Sequence, residues 1–256
     1  THDLIRALPV ITLVSSAYLG IAESKGKHLQ YSKFWNVNAN NASVKSLQIK
    51  LSSRTGMLML YTPAFLACVS SLLLLSDRNI RFLLLKLALS IHFFKRIVEV
   101  IFVHKFSGGM DLGTAILVSA IYLAGSASML SVQHLTQGFA EPSVDLKYGG
   151  VLLFSVGISG NFYHHYLLSK LRGKDGEKKY KIPKSGLFNL VICPHYLFEI
   201  TEFFGFFLIS QTLFSFSYAL GTVFYLSGRS YATRKWYLSK FEDFPSEVKA
   251  LIPRIF

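Results

Sequence analysis

Residues 148–172 read YGGVLLFSVGISGNFYHHYLLSKLR, and this stretch sets the class of the protein. It begins as a long apolar run and then turns polar at Asn161, His164, His165 and Arg172. Polar and ionisable residues inside a membrane-length segment are energetically costly, and by default they mark a functional site. The stretch therefore predicts a membrane-spanning helix that carries part of such a site.

The composition of the whole chain agrees with a membrane protein. Of 256 residues, 51% are hydrophobic and 16% are charged, whereas soluble domains carry about 25% charged residues. Asp, Glu, Lys and Arg are absent from the stretches 55–76, 112–140, 148–169 and 203–228. Each of these exceeds the roughly 20 residues that cross a bilayer as a helix. We predict an all-α, polytopic integral membrane protein.

Hydropathy predicts seven transmembrane helices, at roughly 4–22, 56–76, 79–104, 113–134, 148–169, 196–212 and 213–229. The last two share one apolar run and require a tight reversal near 211–214. The first is interpreted as a span because a lysine-rich segment, and no small-residue cleavage site, follows it. Two cysteines, Cys68 and Cys193, predict free thiols with no disulfide framework and no metal.

The basic residues support an odd number of spans. With seven spans, only Arg6, Arg78, Arg81 and Lys147 fall on the face of the N-terminus, and most of the 27 Lys and Arg residues fall on the other. The positive-inside rule makes the basic face, and with it the C-terminus, cytosolic. The net charge of +13 is then explained by topology and contact with anionic membrane lipids, and it requires no nucleic acid partner.

The third span carries an unusual polar stripe. His92, Lys95, Arg96, Glu99 and Val103 recur at intervals of three and four residues, so they share one face of a helix. Lys95 and Glu99 can pair within that helix. The stripe is either a structural ion pair or the wall of a polar cavity, and the number of charges favours the cavity.

Two further features lie in the apolar runs of the C-terminal half. Glu199 and Glu202 would be costly as unpaired buried carboxylates, so we expect a ligand to satisfy at least one and a basic neighbour to pair with Glu202. Four glycines lack the spacing of a dinucleotide fingerprint. Small residues in membrane helices allow close helix contact, which is our interpretation of Gly149, Gly150, Gly157 and Gly160.

Several motifs recur together toward the C-terminus: GNFYHHYLLSKLR (160–172), YKIPKSGLF (180–188), CPHYLFE (193–199), LSGR (226–229) and WYLSKFEDFPSEVKALIPRIF (236–256). With these motifs the chain resembles the steroid 5α-reductase family, which includes trans-2-enoyl-CoA reductases and polyprenol reductases. In the third span, IHFFKRIVEVIFVHKFS (91–107) resembles the enoyl-CoA reductase version. The motifs cover roughly 150–256 densely.

The resemblance implies a seven-helix enzyme of the endoplasmic reticulum membrane that uses NADPH to saturate an activated carbon–carbon double bond. The positions implied to bind NADPH are Asn161, His165, Arg172, Tyr180, His195, Glu199, Arg229 and Tyr237. The positions implied to lie on the substrate side are His92, Phe93, Arg96 and Glu99. His165 matches enoyl-CoA-type members where steroid-type members have Asp, and His195 replaces an Asn common in both. The arginines suit phosphate because a guanidinium donates in a planar, bidentate fashion.

The catalytic donor departs from the steroid-type pattern. Hydride addition to the β-carbon places negative charge on the carbonyl oxygen, where a preorganised donor must meet it. Steroid-type members supply a Tyr in span three and a Glu in span two, whereas this chain has Phe93 and Tyr61 there. Enoyl-CoA reductases resemble it at Lys95 and Tyr196. We therefore predict Tyr61 or Tyr196 as the acid, with Lys95 stabilising the oxyanion.

We expect one domain, 1–256, in which residues 1–147 form the substrate side and residues 148–256 bind NADPH. The lipid substrate would enter laterally from the bilayer. Chain length and the lack of an N-terminal ubiquitin-like extension favour a 4-ene-3-oxosteroid, whereas the span-three motif and His165 favour a very-long-chain trans-2-enoyl-CoA. The alternative from another class is a non-catalytic, seven-span lipid-binding or transport protein.

Overall fold

Seven α-helices make up most of the described chain. The computed structural model describes residues 2–29, 31, 34, 49–76, 79–106, 108–171 and 180–256, without the side chains of residues 2–6. The helices are α1 (His2–Ser24), α2 (Ser53–Leu74), α3 (Ile80–Val98), α4 (Leu112–Leu135), α5 (Lys147–Lys170), α6 (Pro194–Ser210) and α7 (Leu213–Lys240). Each predicted span coincides with one helix, which confirms the mainly helical fold.

Two helices end more than three residues away from the predicted ends of their spans. The α-helical geometry of α3 ends at Val98, and a π-helical turn follows over Glu99–Val103. The predicted stripe therefore loses its regular spacing at Glu99. Helix α7 continues to Lys240, well past the predicted end of the span at 229. The predicted reversal between the last two helices is confirmed, with Gln211 in the left-handed conformation at a φ of 50°.

Three helices within the described ranges are long and apolar enough to cross a membrane, and their windows are Ala7–Ser24, Ser53–Leu74 and Leu112–Leu135. Helix α6 has 17 residues, and α3 contains buried Lys86 and Arg81 together with Lys95 and Arg96. The apolar helices therefore indicate a membrane protein. The number of seven spans stays a prediction.

A two-stranded β-ribbon was not predicted and joins the starts of two helices. Strand β1 (Lys50–Ser52) pairs antiparallel with β2 (Gly109–Asp111), with Leu51 opposite Met110. Each strand leads directly into a helix whose first turn it caps, because Ser52 Oγ accepts from Thr55 N and Asp111 Oδ2 accepts from Thr114 N. The ribbon therefore holds the N-termini of α2 and α4 side by side.

Glycines bring two helix pairs into backbone contact. A Cβ placed on Gly228 of α7 would lie 2.0 Å from the carbonyl oxygen of Gly20 in α1. One on Gly157 of α5 would lie 2.5 Å from the amide nitrogen of Glu202 in α6. Gly150 and Gly160 are equally close to α6, which confirms their predicted role, whereas Gly149 has no such atom within 4 Å and its interpretation was wrong. The contacts place the polar residues of α5 directly against those of α6.

Arg81 joins three segments at the end of the bundle where α3 begins. Its guanidinium donates to Glu141 at 2.6 Å and to Asp145 at 2.7 Å in the loop between α4 and α5. It also donates to Ile209 O at 2.7 Å and to Gln211 Oε1 at 2.9 Å in the α6–α7 reversal. Hydrogen bonds from Lys147 hold the pKa of Asp145 below its ordinary value, so this carboxylate remains charged.

Candidate functional site

A cavity of about 240 Å³ lies between the helices at the opposite end of the bundle, where α2 begins and α5 ends. Nine of the predicted site residues line it: Tyr61, Arg96, His165, Tyr180, His195, Tyr196, Glu199, Arg229 and Tyr237. They come from α2, α3, α5, α6, α7 and the segment that precedes α6. The fold thus collects into one cavity residues that are far apart in the chain.

The remaining predicted residues are placed behind this wall or outside the described ranges. Asn161 and Glu99 contact the lining residues His195 and Arg96, and Lys95 contacts both of them from behind. His92 and Phe93 line a second, smaller cavity. Arg172 and the basic residues of 173–179 lie outside the described residues, as does Arg78. The predicted roles of all of these residues stay predictions.

Glu99 is the centre of the polar cluster behind the cavity. Its side chain is 0% exposed, and its Oε1 is 3.0 Å from both Lys95 Nζ and His165 Nδ1. Its Oε2 is 3.0 Å from Arg96 Nη1. The predicted Lys95–Glu99 pair is confirmed, and one fully buried carboxylate holds two cations of α3 in fixed positions. A buried charge with such partners avoids the desolvation cost of an unpaired one.

Arg96 connects this cluster to the cavity wall. Its Nη2 donates a hydrogen bond of 2.6 Å to the hydroxyl oxygen of Tyr61, and its Cζ lies 4.9 Å from the centre of the same ring. The Tyr61 ring also stacks on Tyr122, with 5.6 Å between centroids. His165 Nδ1 is 3.1 Å from Arg96 Nη1 and can accept there in one of its tautomers. Tyr61 and Arg96 both line the cavity, and the guanidinium holds the tyrosine hydroxyl in place.

Asn161 forms a bridge between α3 and α6. Lys95 Nζ donates to Asn161 Oδ1, and Asn161 Nδ2 donates to His195 O at 2.8 Å. Glu199 Oε2 is 3.5 Å from the same Nδ2, which is the limit of a hydrogen bond. Both ends of the amide are thus engaged by protein, and Glu199 keeps acceptor capacity toward the cavity.

Arg229 is buried on the far side of the cavity and is 2% exposed. Its Nη1 contacts both carboxylate oxygens of Glu23 at the end of α1. Its Cζ lies 4.3 Å from the ring centres of Tyr31 and Phe34, contacts within the range of cation–π attraction. The hydroxyls of Tyr31 and Tyr225 are 3.1 Å apart. The sequence prediction of Arg229 as a phosphate ligand did not include this internal carboxylate.

His92 and Glu202 form a separate buried pair. His92 Nδ1 lies 2.6 Å from Glu202 Oε1, and the imidazole is packed edge-on against Phe93, Phe203 and Phe206. The expectation that Glu202 pairs with a basic neighbour is confirmed. Because His92 points to α6 and not toward Arg96, the predicted stripe of α3 serves two different clusters.

One group of side chains has the residue types of a metal site. Donor atoms of Glu99, His104 and His165 all lie within 4.8 Å of one another. Both oxygens of Glu99 already contact Lys95 or Arg96, and at an effective dielectric constant near 20 a cation close to another cation is repelled by several kcal/mol. A metal ion here would have to displace one of these side chains.

A dinucleotide fits the chemistry of the cavity lining. Arg96, Lys105, Lys181 and Arg229 bring four formal positive charges to the wall, where Glu199 is the carboxylate among the lining residues. Glu99 and Glu23 pair with Arg96 and Arg229 from behind the wall, and the lysines add basic groups that suit a phosphate-bearing ligand. Glu199 and the aromatic rings of Tyr180 and Tyr237 supply an acceptor and flat surfaces for the rings of a nucleotide.

Sequence reasoning missed four lining or supporting residues. Glu23 is a buried carboxylate at the end of an apolar helix. The energetic cost of burying a charge could have identified it from the sequence. Tyr31, Tyr122 and Tyr225 line the cavity, but a tyrosine in an apolar run carries no signal that distinguishes it from a packing residue.

Comparisons with known proteins give a consistent result. A family model described as 3-oxo-5-alpha-steroid 4-dehydrogenase matches residues 115–256, more than half of the chain. Steroid 5-alpha-reductase DET2 of Gossypium hirsutum is 44% identical over 108 residues, or 42% of this chain and 42% of that protein. The human 3-oxo-5-alpha-steroid 4-dehydrogenase 2 is 39% identical over 113 residues, or 44% of each chain.

A second kind of relative matches a longer part of the chain. The very-long-chain enoyl-CoA reductase of Dictyostelium discoideum is 33% identical over 165 residues, which are 64% of this chain and 55% of that protein. The chain therefore spans between about two fifths and just over half of the length of these relatives.

Proposed function

This chain belongs to the 3-oxo-5-alpha-steroid 4-dehydrogenase family, and from that premise we propose that it reduces a carbon–carbon double bond conjugated to a carbonyl group in a lipid, with NADPH as the hydride donor. The observation that supports this most is the shared cavity. Its lining combines lysine and arginine side chains, the carboxylate of Glu199 and the Arg96-bonded Tyr61. A hydride-transfer site with an oxyanion donor needs these groups together.

The chain's own residues would divide the work between binding and catalysis. The residues proposed to hold NADPH are Asn161, His165, Arg172, Tyr180, His195, Glu199, Arg229 and Tyr237. The hydride for the β-carbon comes from the bound NADPH. Tyr61, Tyr196 and Lys95 are the candidate groups that stabilise or protonate the carbonyl oxygen as its charge grows. His92, Phe93, Arg96 and Glu99 are proposed to support the substrate side.

Two substrate classes remain for the reductase. A 4-ene-3-oxosteroid is the first, supported by the family model and by the names of the plant and human relatives. A very-long-chain trans-2-enoyl-CoA is the second, supported by His165 and by the Dictyostelium relative, which covers more of this chain. Either substrate has an activated double bond beside a carbonyl and a long apolar body that would enter from the bilayer.

We infer the membrane topology and the cellular location from the charge distribution. Seven spans would place the N-terminus on the lumenal face and the C-terminus in the cytosol, with the endoplasmic reticulum membrane as the location. The cavity is lined by residues near the start of α2, the end of α5 and the segment before α6. Under this topology these ends face the cytosol, from which a polyanionic cofactor must come.

The proposed function is tested by product analysis. Purified protein in lipid nanodiscs would be incubated with NADPH and with separate 4-ene-3-oxosteroid and trans-2-enoyl-CoA substrates, followed by mass spectrometry. We expect a product two mass units heavier than one substrate class, formed with stoichiometric loss of NADPH absorbance. Binding of lipid substrates without NADPH binding or consumption would instead support the non-catalytic lipid-binding or transport protein.

A further inference from the structure

Arg96 is held in place from the side that faces away from the cavity. Its Nη1 is fixed by Glu99 Oε2 at 3.0 Å and lies 3.1 Å from His165 Nδ1. Glu99 is in turn fully buried and held by Lys95. The guanidinium therefore has little freedom to turn, and its Nη2 is directed at Tyr61.

The hydrogen bond between Arg96 and Tyr61 determines where the phenolic proton can point. A guanidinium carries only donors, so in the 2.6 Å contact the Tyr61 oxygen must accept. Its own O–H then points elsewhere, and no acceptor for it is present among the side chains and backbone groups of the described residues. Both residues line the cavity. Since none of the described residues accepts this proton, a molecule bound in the cavity can supply the acceptor.

The two other candidate donors lack this arrangement. Lys95 lies behind the wall, where its ammonium group contacts Asn161 and Glu99. Tyr196 lines the cavity beside His195, with 4.3 Å between ring centroids. Within the described part of the chain, no cation donates a hydrogen bond to the Tyr196 hydroxyl. Tyr61 is the candidate whose hydroxyl is both at the cavity and oriented by a charged donor.

We infer that Arg96 is a positioning residue that holds the phenolic proton of Tyr61 toward the carbonyl oxygen of the substrate, so that Tyr61 is the acid of the reduction. This rests on the proposed reductase function. A cationic donor on the phenol oxygen also stabilises the phenolate that remains when the proton leaves, since charge-assisted hydrogen bonds are roughly twice as strong as neutral ones.

The chemistry balances in two steps. As hydride adds to the β-carbon, the π electrons of the double bond move toward the carbonyl, and the carbonyl oxygen takes the proton of Tyr61. The products of this step are an enol and a Tyr61 phenolate held by Arg96. The phenolate then takes a proton from water, which leaves hydroxide, and water carries the oxygen-bound proton of the enol to its α-carbon. The net addition is one hydride and one proton.

The experiment compares Tyr61→Phe, Arg96→Gln, the double variant and Arg96→Lys in turnover. We expect Tyr61→Phe to lower kcat on the order of a hundredfold, and Arg96→Gln to lower it about tenfold or more, with KM little changed. Because Arg96 acts through Tyr61, the double variant should be no slower than Tyr61→Phe alone. A double variant slower by the product of both effects would overturn the inference, as would an equal loss in Tyr196→Phe.

A second readout does not depend on turnover. With tyrosine labelled with carbon-13 at Cζ, the NMR signal that disappears in Tyr61→Phe identifies Tyr61. That signal should shift in Arg96→Gln and stay in place in Arg81→Gln, a matched control that removes a buried arginine from the other end of α3. If Arg96→Gln does not fold, Arg96→Lys serves instead, since it keeps a cation beside Glu99 and loses the forked donor.

The two readouts separate the inference from the proposed function. If the Tyr61 signal does not shift in Arg96→Gln and the protein reduces its substrate, Arg96 is not a positioning residue. The proposed reductase function then still stands. A signal that shifts, in a protein that reduces no compound of either class, removes the reductase and with it the role of Tyr61 as an acid.

Discussion

Arg229 Nη1 lies 2.7 Å and 2.8 Å from the two carboxylate oxygens of Glu23, a residue 206 positions earlier in the chain. Glu23 also lies 2.8 Å from His28 Nδ1 and accepts from Leu29 N at 3.1 Å. One buried carboxylate thus attaches the end of α1 and the residues after it to α7. The cavity wall formed by Tyr31 depends on this attachment.

Removing the charge of Glu23 should be strongly destabilising. Glu23→Gln leaves Arg229 buried without its counter-ion, and breaking such a pair costs roughly 3–5 kcal/mol. We expect a clear fall in the melting temperature of the protein in detergent micelles. The control is Glu141→Gln, which removes a 47% exposed partner of Arg81 and should cost less than about 1 kcal/mol. Equal losses in both variants would contradict the importance of the Glu23–Arg229 pair.

Close packing of α1 against α7 should not tolerate a methyl group. A Cβ at Gly20 would lie 2.3 Å from the carbonyl oxygen of Phe224, so Gly20→Ala must push the helices apart at a cost of roughly 1–3 kcal/mol. Gly149→Ala is the matched control in α5, where a Cβ meets no such atom within 4 Å. That variant should be neutral, or more stable by about 0.5–1 kcal/mol. Thermal unfolding of both variants under the same conditions decides the matter.

A double-mutant cycle should show that His92 and Glu202 are strongly coupled in their effect on stability. Either His92→Phe or Glu202→Leu alone leaves one polar group unpaired in the core and should lower stability by several kcal/mol. The double variant replaces both by apolar groups among Phe203 and Phe206 and should recover most of that loss. Chemical or thermal unfolding of the four proteins measures the coupling. Additive losses would show that the 2.6 Å contact contributes little.

Arg81 should control local order at its end of the bundle. Arg81→Ala frees Ile209 O and Gln211 in the α6–α7 reversal as well as Glu141 and Asp145. We expect faster amide hydrogen exchange in residues 141–147 and 210–213, while exchange around the cavity stays the same. Uniform acceleration through all helices would instead indicate global destabilisation.

Cysteine labelling should test whether an odd number of spans separates residues 143 and 239, as seven spans require. Both native cysteines are buried, so single cysteines can be added at exposed Ser143, between α4 and α5, and at exposed Ser239, near the end of α7. In sealed microsomes an impermeant maleimide should label Ser239→Cys directly and Ser143→Cys only after permeabilisation. Labelling of both sites from the same side would contradict seven spans.

Local features of the sequence were sufficient for the fold class and part of the site. Apolar run length predicted each helix, since a helix that crosses a bilayer requires about 20 apolar residues whatever its neighbours are. The energetic cost of buried charge likewise marked Arg96 and Glu199 before any contact was known, whereas Arg229 was identified through the family resemblance. Spacing of four residues was enough for the Lys95–Glu99 pair, because both partners belong to one helix.

Only the tertiary structure decided which charge meets which. Glu23 with Arg229, His92 with Glu202, and Arg96 with Tyr61 are separated by 206, 110 and 35 positions. No periodicity joins such positions, because their distance depends on how whole helices pack. The sequence by itself determined that Glu202 needs a basic partner, since unpaired burial of a carboxylate is too costly. The packing of α1 on α7, α3 on α6 and α2 on α3 selected the partners and brought Tyr61 and Arg96 together at the cavity wall.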